Sequence, residues 1–217
     1  MKNNLTRLKF FLIPLLLWIA TWAILIFLIP KGELELSWNQ HHTKIADIFF
    51  STVTFFGDGF FYAGFVLVML FINRIWFYIS LISSLLCAAV SNLFKHFIFK
   101  DEQRPLSFFG DSVHIHLPEG TQPLFWGSFP SGHTLAAFSM FLLAAYFFRK
   151  PGLQYLFFAS AVLTGISRIY LMAHFKEDVL TGSVIGATIS FCMISLFTKT
   201  SLKNTVSPEL NIKTDEK

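Results

Sequence analysis

Six long apolar segments run through this sequence of 217 residues, and they limit the folds that are open to it. A helix needs about 20 predominantly apolar residues to cross the hydrocarbon core of a bilayer. The segments reach or approach that length, and only 14% of all residues are charged, against about 25% in soluble domains. We therefore predict an all-α fold, a bundle of six transmembrane helices. The predicted spans are residues 10–29, 49–72, 75–98, 133–148, 153–171 and 176–197.

The first apolar segment follows a basic start, as the core of a signal peptide does. Its length of about 20 residues exceeds the 7–15 apolar residues of a signal peptide core, so we expect a retained membrane helix. Residues 1–198 are predicted to form a single integral membrane domain. Residues 199–217 are polar, and we expect them to form a disordered cytoplasmic tail.

The distribution of lysine and arginine predicts the orientation of the bundle. Ten of the 17 basic residues, but only three of the 13 acidic residues, lie on the side that holds both termini. Short loops rich in lysine and arginine stay in the cytoplasm, so both termini are predicted to be cytoplasmic in a multi-pass protein of the cell (inner) membrane. The loops 30–48, 99–132 and 172–175 then face the periplasm or exterior. The net charge of +4 arises from basic helix ends and indicates the bilayer, not a nucleic acid, as partner.

Polar residues that topology does not require gather near the outer ends of the predicted helices. Arg168 lies close to hydrocarbon depth, where an arginine costs about 2.5–3.5 kcal/mol on insertion scales and indicates a functional role. The others surround it at one predicted height. They are Lys95, Lys100 and Arg104 at the outer end of the third span, Ser131, Gly132 and His133 at the start of the fourth, and His174 and Asp178 at the start of the sixth.

This combination of residues is typical of a site for a phosphate dianion. A helix N-terminus offers unpaired backbone N–H groups to an anion, and guanidinium and ammonium groups bind phosphate oxygens. His174 and Asp178 are four residues apart, so they share one face of a helix. A carboxylate bonded to one imidazole nitrogen leaves the other nitrogen free to act as a nucleophile, and His133 can protonate a departing oxygen.

Two of these stretches carry motifs of a known family. "PSGH" at 130–133 and "SRIYLMAHFKED" at 167–178 match the patterns PSGH and SR-x5-H-x3-D. The chain thus resembles the type 2 phosphatidic acid phosphatases of the PAP2 superfamily, whose core is shared with vanadium haloperoxidases. The resemblance implies a membrane-embedded lipid phosphatase with an extracytoplasmic loop between spans 3 and 4. It also implies that neither a metal nor another cofactor is required.

The resemblance assigns a role to each residue of the site. His174 attacks phosphorus and becomes phosphorylated, Asp178 orients it, and His133 is the general acid for the leaving group. The phosphoryl oxygens are held by the remaining members of the motifs, which are Lys95, Arg104, Ser131, Gly132 and Arg168.

The first motif of the family, K-x6-RP, is altered in this sequence. Eight residues separate Lys95 from Arg104, and positions nine apart point to opposite sides of a straight helix. We therefore expect the helix to end near Lys100 and a loop to carry Arg104 to the site. Lys95 is the preferred candidate for the lysine of this motif, and Lys100 is the alternative.

The expected activity is hydrolysis of a lipid phosphate or diphosphate. The resemblance implies undecaprenyl diphosphate, phosphatidylglycerol phosphate, phosphatidate or lipid A phosphate as candidate substrates. Two alternatives remain open, a lipid phosphotransferase of the same family and a non-enzymatic transporter of anionic lipids. The oligomeric state is not indicated.

A further pattern lies in the long outer loop. His114 and His116 alternate in "SVHIHLPEG", which we interpret as a short strand or lid segment over the lipid entrance. A metal-binding histidine pair is the alternative interpretation.

Overall fold

The computed structural model of the protein describes residues 2–206, and within this range the regular structure is helical. The only β pairing among these residues is an isolated bridge between Gln103 and Trp126. The α-helices are α1 (Lys2–Arg7), α2 (Lys9–Leu28), α3 (Glu33–Gln40), α4 (Lys44–Val53), α5 (Gly59–Ile72), α6 (Arg74–Leu93), α7 (Pro105–Phe109), α8 (Gly132–Phe148), α9 (Pro151–Tyr170) and α10 (Lys176–Val206). A π-helical turn, Phe94–Ile98, extends α6, and 3-10 turns cover Thr54–Gly57 and Gly110–Ser112.

Every predicted span lies on helical structure, but length and apolar composition do not distinguish six spans. By those two criteria three helical stretches can cross a membrane, and the bent pair formed by α4 and α5 makes a fourth. α8 is apolar but has only 17 residues. The three stretches are Lys9–Leu28, Arg74–Ile98 and Lys176–Phe197. The all-α prediction is therefore confirmed for the described residues, and these lengths fit a membrane protein.

The last helix extends beyond the predicted membrane domain. α10 continues to Val206, so it includes the first residues of the stretch predicted as a disordered tail. Residues 207–217 of that stretch lie outside the described residues. The domain boundary at residue 198 stays a prediction.

α8 forms the centre of the bundle. Most of its side chains are buried, and it packs against α5, α6, α9 and α10. Leu135, Phe138 and Leu142 have no exposed surface. Because protein surrounds α8 on several sides, its N-terminus lies among the ends of neighbouring helices, where its backbone N–H groups can serve a shared site.

Glycines allow α10 to approach α8 closely. A methyl group at Gly186 would collide with the backbone carbonyl oxygen of Leu135, and one at Gly182 would lie 2.7 Å from the carbonyl oxygen of Ser131. Small residues at such spacing let two helix backbones come together in a membrane. The two glycines therefore hold the start of α10 beside the start of α8.

A corner between α4 and α5 also reaches the start of α8. The two helices are bent by 50°, and the Asp58 carboxylate caps α5 by accepting a hydrogen bond from the backbone N–H of Phe60 at 2.7 Å. A methyl group at Gly57 would lie 2.5 Å from the carbonyl oxygen of His133. The corner can contact α8 because residue 57 has no side chain.

The loops predicted to face outward meet at one end of the bundle. Lys31 of the first loop lies 3.7 Å from Glu102 of the second, and Arg104 donates a hydrogen bond to the carbonyl oxygen of Ala173 in the third. At the other end, Gln154 donates to the carbonyl oxygen of Arg7. The predicted inner and outer segments thus occupy opposite ends of the molecule.

We predict that Gly186→Ala destabilises the bundle, because the new methyl group must push α10 away from the backbone of Leu135. Overpacking of this kind costs about 1–3 kcal/mol. A lower thermal unfolding temperature of the purified protein in detergent would be the expected result.

Gly64→Ala is the matched control, because a methyl group at this α5 position has no heavy atom within 4 Å. Alanine is favoured over glycine in a helix by about 1 kcal/mol, so this variant should be as stable as the parent or slightly more so. Equal unfolding temperatures for the two variants would contradict the proposed contact.

Candidate active site

Ser131 connects the start of α8 to α10. Its backbone N–H donates to the carbonyl oxygen of Asp178 at 3.1 Å. Its side chain is buried, and Oγ lies 2.8 Å from Oγ1 of Thr134 and caps α8. The hydroxyl predicted to bind phosphate is therefore engaged within the protein, and its main role here is to hold the helix end in place.

Lys95 lies against the N-terminus of α8. A methyl group at Gly132 would be 3.3 Å from Nζ of Lys95 and 3.0 Å from Oγ of Ser91, so the absence of a side chain makes room for the ammonium group. Lys100 is exposed to solvent. Lys95 therefore lies beside α8, whereas no such contact is described for Lys100.

The π-helical turn explains how the altered first motif is accommodated. The backbone N–H of Phe99 donates to the carbonyl oxygen of Phe94, five residues earlier, at 2.7 Å. Regular structure ends at Ile98, close to the expected position, and the chain then crosses to the Gln103–Trp126 bridge before it reaches Arg104. The loop therefore brings Arg104 to the site.

His174 is 1% exposed and lies between α9 and α10, two residues before α10 begins at Lys176. The prediction that His174 and Asp178 share one face of a helix is therefore wrong, although the two side chains still meet. Its Nδ1 is 3.4 Å from Oδ2 of Asp178. The same oxygen accepts hydrogen bonds from Oγ of Ser128 at 2.5 Å and from the backbone N–H of Phe175 at 3.0 Å. The carboxylate is thus fixed by two donors other than the imidazole, and its position constrains the ring.

The contact between Arg104 and His174 indicates the tautomer of the imidazole. Nη1 of Arg104 lies 3.3 Å from Nε2 of His174, and a guanidinium group can only donate hydrogen bonds. Nε2 is then the unprotonated nitrogen, and the proton resides on Nδ1 facing Asp178. Burial, together with the nearby charges of Arg104, Lys95 and Arg168, lowers the pKa of His174 well below its ordinary value. The ring is therefore neutral at physiological pH.

Most of the donors of Arg104 are used by the protein. Nε donates to the carbonyl oxygen of Trp126 at 2.8 Å, Nη2 to that of Gly127 at 3.1 Å and Nη1 to that of Ala173 at 2.8 Å. Arg104 thus joins the loop before α8 to the loop that carries His174. An incoming phosphate at Nε2 of His174 would lie directly beside Nη1.

Arg168 is placed differently. Its side chain is 8% exposed, and Nη1 donates to Oγ1 of Thr54 at 2.7 Å. Nε is buried and has no hydrogen-bond partner among the described residues. A buried unpaired donor is rare in proteins, and it leaves this guanidinium able to bind an anion.

A cavity of about 470 Å³ opens beside Arg168. His133 and Arg168 line it together with Thr54 and Asp58, and several residues of the loop segment 117–124 also line it. Lys95, Arg104, Arg168 and His174 are all close enough to His133 to interact with it electrostatically. The structure thus brings the predicted site residues together around the start of α8.

The charge of this cluster is not balanced within the described part of the chain. None of Lys95, Arg104 and Arg168 forms an ion pair there. Asp178 and Asp58 are the carboxylates near these cations. Neither forms an ion pair with Lys95, Arg104 or Arg168 among the described residues, and Oδ2 of Asp178 is occupied by His174, Ser128 and Phe175. Buried charges are normally paired, so the arrangement is suited to binding an anion.

Two contributors to the site were not predicted. Ser128 holds Asp178, and Glu35 of α3, which has no exposed surface, accepts a hydrogen bond from the backbone N–H of Lys176 at 2.7 Å. Burial raises the pKa of Glu35. Glu35 is 141 residues from its partner, so no local spacing could have indicated this contact. Ser128 lies three residues before Ser131 and carries no signal of its own.

No cluster of three or more histidine, cysteine or carboxylate side chains with the arrangement of a metal site occurs within residues 2–206. The interpretation of His114 and His116 as a metal-binding pair therefore has no third ligand among these residues.

Two curated relatives share short regions with this chain. Lipid A 1-phosphatase from Rhizobium johnstonii is 32% identical over 82 residues, which cover 38% of this chain and 33% of the relative. Undecaprenyl-diphosphatase BcrC from Bacillus subtilis is 33% identical over 87 residues, covering 40% of this chain and 42% of the relative. The chain therefore matches less than half the length of each.

Similarity to a solved structure extends over more of the chain. The crystal structure of Aquifex aeolicus LpxE superimposes with a TM-score of 0.67 and 25% sequence identity. The superposition covers 76% of this chain and 94% of the LpxE chain. The helical arrangement described above is therefore shared with the LpxE structure.

The sequence model of one family matches residues 75–201, more than half of the chain. This range contains all eight predicted site residues, from Lys95 to Asp178. The family match, the LpxE-like fold and the convergence of both motifs on one cavity agree with the predicted resemblance, and this chain belongs to the PAP2 superfamily.

Proposed function

We propose that the protein is an integral membrane phosphatase that hydrolyses a lipid phosphate or diphosphate through a phosphohistidine intermediate. The observation that carries the proposal is the unbalanced group of cations beside a neutral, carboxylate-bound histidine. The cations suit the negative charge of a phosphoryl group, and the imidazole supplies a nucleophile.

In the first step, the lone pair of Nε2 of His174 attacks phosphorus and forms an N–P bond. Nδ1 keeps its proton and its contact with Asp178, which stabilises the positive charge that develops on the ring. Arg104 turns the N–H that faces Nε2 in the free protein towards a phosphoryl oxygen. Lys95 and Arg168 bind the other oxygens, where the charge of the transition state is concentrated.

His133 is the proposed general acid. The P–O bond to the leaving group breaks, and the departing oxygen takes a proton from His133. The surrounding cations disfavour a further positive charge on the imidazole of His133, and a bound phosphate dianion offsets their effect. Protonation of His133 is thereby coupled to substrate binding.

Water completes the reaction. His133, now neutral, accepts a proton from a water molecule whose oxygen attacks the phosphorus of phosphohistidine. The N–P bond breaks, inorganic phosphate is released, and Nε2 of His174 regains its lone pair. No metal ion takes part in this scheme.

We propose that the six predicted spans form the bundle in the cell (inner) membrane with both termini in the cytoplasm. The supporting observation is that the loops 30–48, 99–132 and 172–175 contact one another at one end, opposite the basic inner segments. In this orientation the site opens at the outer leaflet, within reach of a lipid headgroup.

We propose that the substrate is one of four lipids: undecaprenyl diphosphate, phosphatidylglycerol phosphate, phosphatidate or lipid A phosphate. Assaying each in detergent micelles for released inorganic phosphate tests the proposed function directly. Transfer of phosphate to an added lipid alcohol without release into water would indicate the phosphotransferase. Binding without turnover of any of the four would indicate the transporter.

We predict that His174→Ala abolishes phosphate release, because no other group can form the covalent intermediate. Loss of a nucleophile in a cooperating catalytic group reduces turnover by about 1,000-fold or more. The measurement is inorganic phosphate released from the best substrate of the panel.

His96→Ala provides the control, because His96 is an exposed histidine on the π-helical turn beside Lys95. This variant should retain parental turnover. Turnover by His174→Ala comparable to that of His96→Ala would rule out the covalent mechanism.

We predict that Lys95→Ala lowers kcat/KM by about 10- to 100-fold, since a charged hydrogen bond to the phosphoryl group is lost. Lys100→Ala should have little effect, because Lys100 is exposed. Steady-state kinetics of the two variants distinguish the candidates for the first motif, and a larger loss in Lys100→Ala would reverse the assignment.

We predict that EDTA leaves activity unchanged, since the proposed chemistry uses cationic side chains where other phosphatases use metal ions. Phosphate release is measured before and after dialysis against the chelator. Loss of activity that added Mg²⁺ or Zn²⁺ restores would refute the metal-free mechanism.

A further inference from the structure

His116 of the long outer loop is joined to three other parts of the chain. Its Nε2 lies 2.9 Å from Oδ2 of Asp47 in α4. The other oxygen of Asp47 accepts a hydrogen bond from the hydroxyl of Tyr170 at 2.6 Å. Because a carboxylate only accepts hydrogen bonds, His116 carries its proton on Nε2 in this contact. Tyr170 lies two residues after Arg168, so the chain of contacts leads to the phosphate site.

The backbone and the ring of His116 are also held. Asn39 of α3 is 3% exposed, and its side-chain amide pairs with the backbone of His116 in both directions, at 2.7 and 2.9 Å. The ring of His42 stacks on that of His116 with centroids 3.6 Å apart and planes 8° apart. One loop residue thus makes contacts through its backbone, its ring face and its ring nitrogen.

The residues that follow His116 form a wall of the candidate active site. Leu117, Glu119, Thr121, Gln122 and Leu124 line the same cavity as His133 and Arg168. Within residues 117–124, the structure describes one hydrogen bond, from the backbone N–H of Thr121 to the carbonyl oxygen of Pro118, and no ion pair. The next hydrogen bond along the chain is at Phe125, whose carbonyl oxygen accepts from the backbone N–H of Arg104. His116 is therefore the attachment point at the start of this wall.

We propose that His116 is a positioning residue that determines the affinity of the site for the lipid headgroup, by fixing the wall formed by residues 117–124. This inference rests on the proposed function and extends it. The phosphoryl group contacts the cations and His174, whereas the wall contacts the part of the substrate beyond phosphorus. The carboxylate, hydroxyl and amide of Glu119, Thr121 and Gln122 give that wall a polar surface suited to a hydrogen-bonding headgroup.

The proposal separates two kinds of substrate. A lipid phosphate with a polar headgroup, such as phosphatidylglycerol phosphate, needs an ordered wall, and a mobile wall must be ordered at an entropic cost when it binds. A small soluble ester such as p-nitrophenyl phosphate has no lipid headgroup, and its turnover depends on the cations, His174 and His133. Loss of the His116 side chain should therefore raise KM for phosphatidylglycerol phosphate and leave kcat and KM for p-nitrophenyl phosphate unchanged.

The test compares His116→Ala with His114→Ala in the full-length protein. His114 is a histidine in the same loop, two residues earlier, and it is exposed, which makes it a matched control. We expect His116→Ala to raise KM for phosphatidylglycerol phosphate by about 5- to 10-fold with kcat retained, the size of one lost hydrogen bond. His116→Gln, whose amide nitrogen can still donate to Asp47, should restore most of the affinity.

A second measurement does not depend on activity. Limited proteolysis in detergent should cleave within residues 117–124 faster in His116→Ala than in His114→Ala. The start of the wall has then lost its contacts with Asp47 and His42 and is held only by the hydrogen bonds from Asn39 to its backbone. Equal cleavage rates would overturn the anchoring role even if the protein proved not to be a phosphatase. Equal losses of turnover on both substrates, or equal effects of the two alanine variants, would overturn the role in headgroup affinity. Absence of phosphate release from every substrate by the parent protein would instead refute the proposed function.

Discussion

Uncompensated positive charge at the start of α8 is the constraint on which the rest of the site depends. Arg104 and Arg168 are less than a tenth exposed, and neither forms an ion pair within residues 2–206. Burying a cation is costly unless it is paired or hydrogen-bonded. The fold meets this cost with neutral oxygens, the backbone carbonyls around Arg104 and the Thr54 hydroxyl beside Arg168. Such acceptors hold a guanidinium without cancelling its charge, and an anion can still bind.

Close helix packing allows these side chains to meet at the start of α8. Gly182 and Gly186 let α10 touch the backbone of α8, and Gly57 does the same for the corner between α4 and α5. These contacts bring Asp178 of α10 and Thr54 of the corner towards the N-terminus of α8. A side chain at any of these glycines would collide with the backbone of α8 and force the neighbouring segment away from it.

The loops contribute as much to the arrangement as the helices do. α3 places two buried polar side chains one turn apart, Glu35 against the start of α10 and Asn39 against the loop that carries His116. One short helix outside the apolar segments thus connects the residues beside the nucleophile to the wall of the cavity. The position of the nucleophile relative to the cavity wall therefore depends on α3, which carries none of the family motifs.

Local patterns in the sequence were enough to predict the helical class, the positions of the apolar helices and the pairing of His174 with Asp178. The helices follow from hydropathy, and the pairing follows from the short spacing of the motif, which are local properties. The predicted common helix was wrong, because His174 precedes α10. The sequence also identified Lys95 and Arg104, but the altered spacing left the lysine open between Lys95 and Lys100. Only the tertiary structure decided the roles of Ser128, Glu35 and His116, because their partners lie 50, 141 and 69 residues away. Contacts at such separations depend on how the helices and loops pack, and no periodicity in the chain encodes them.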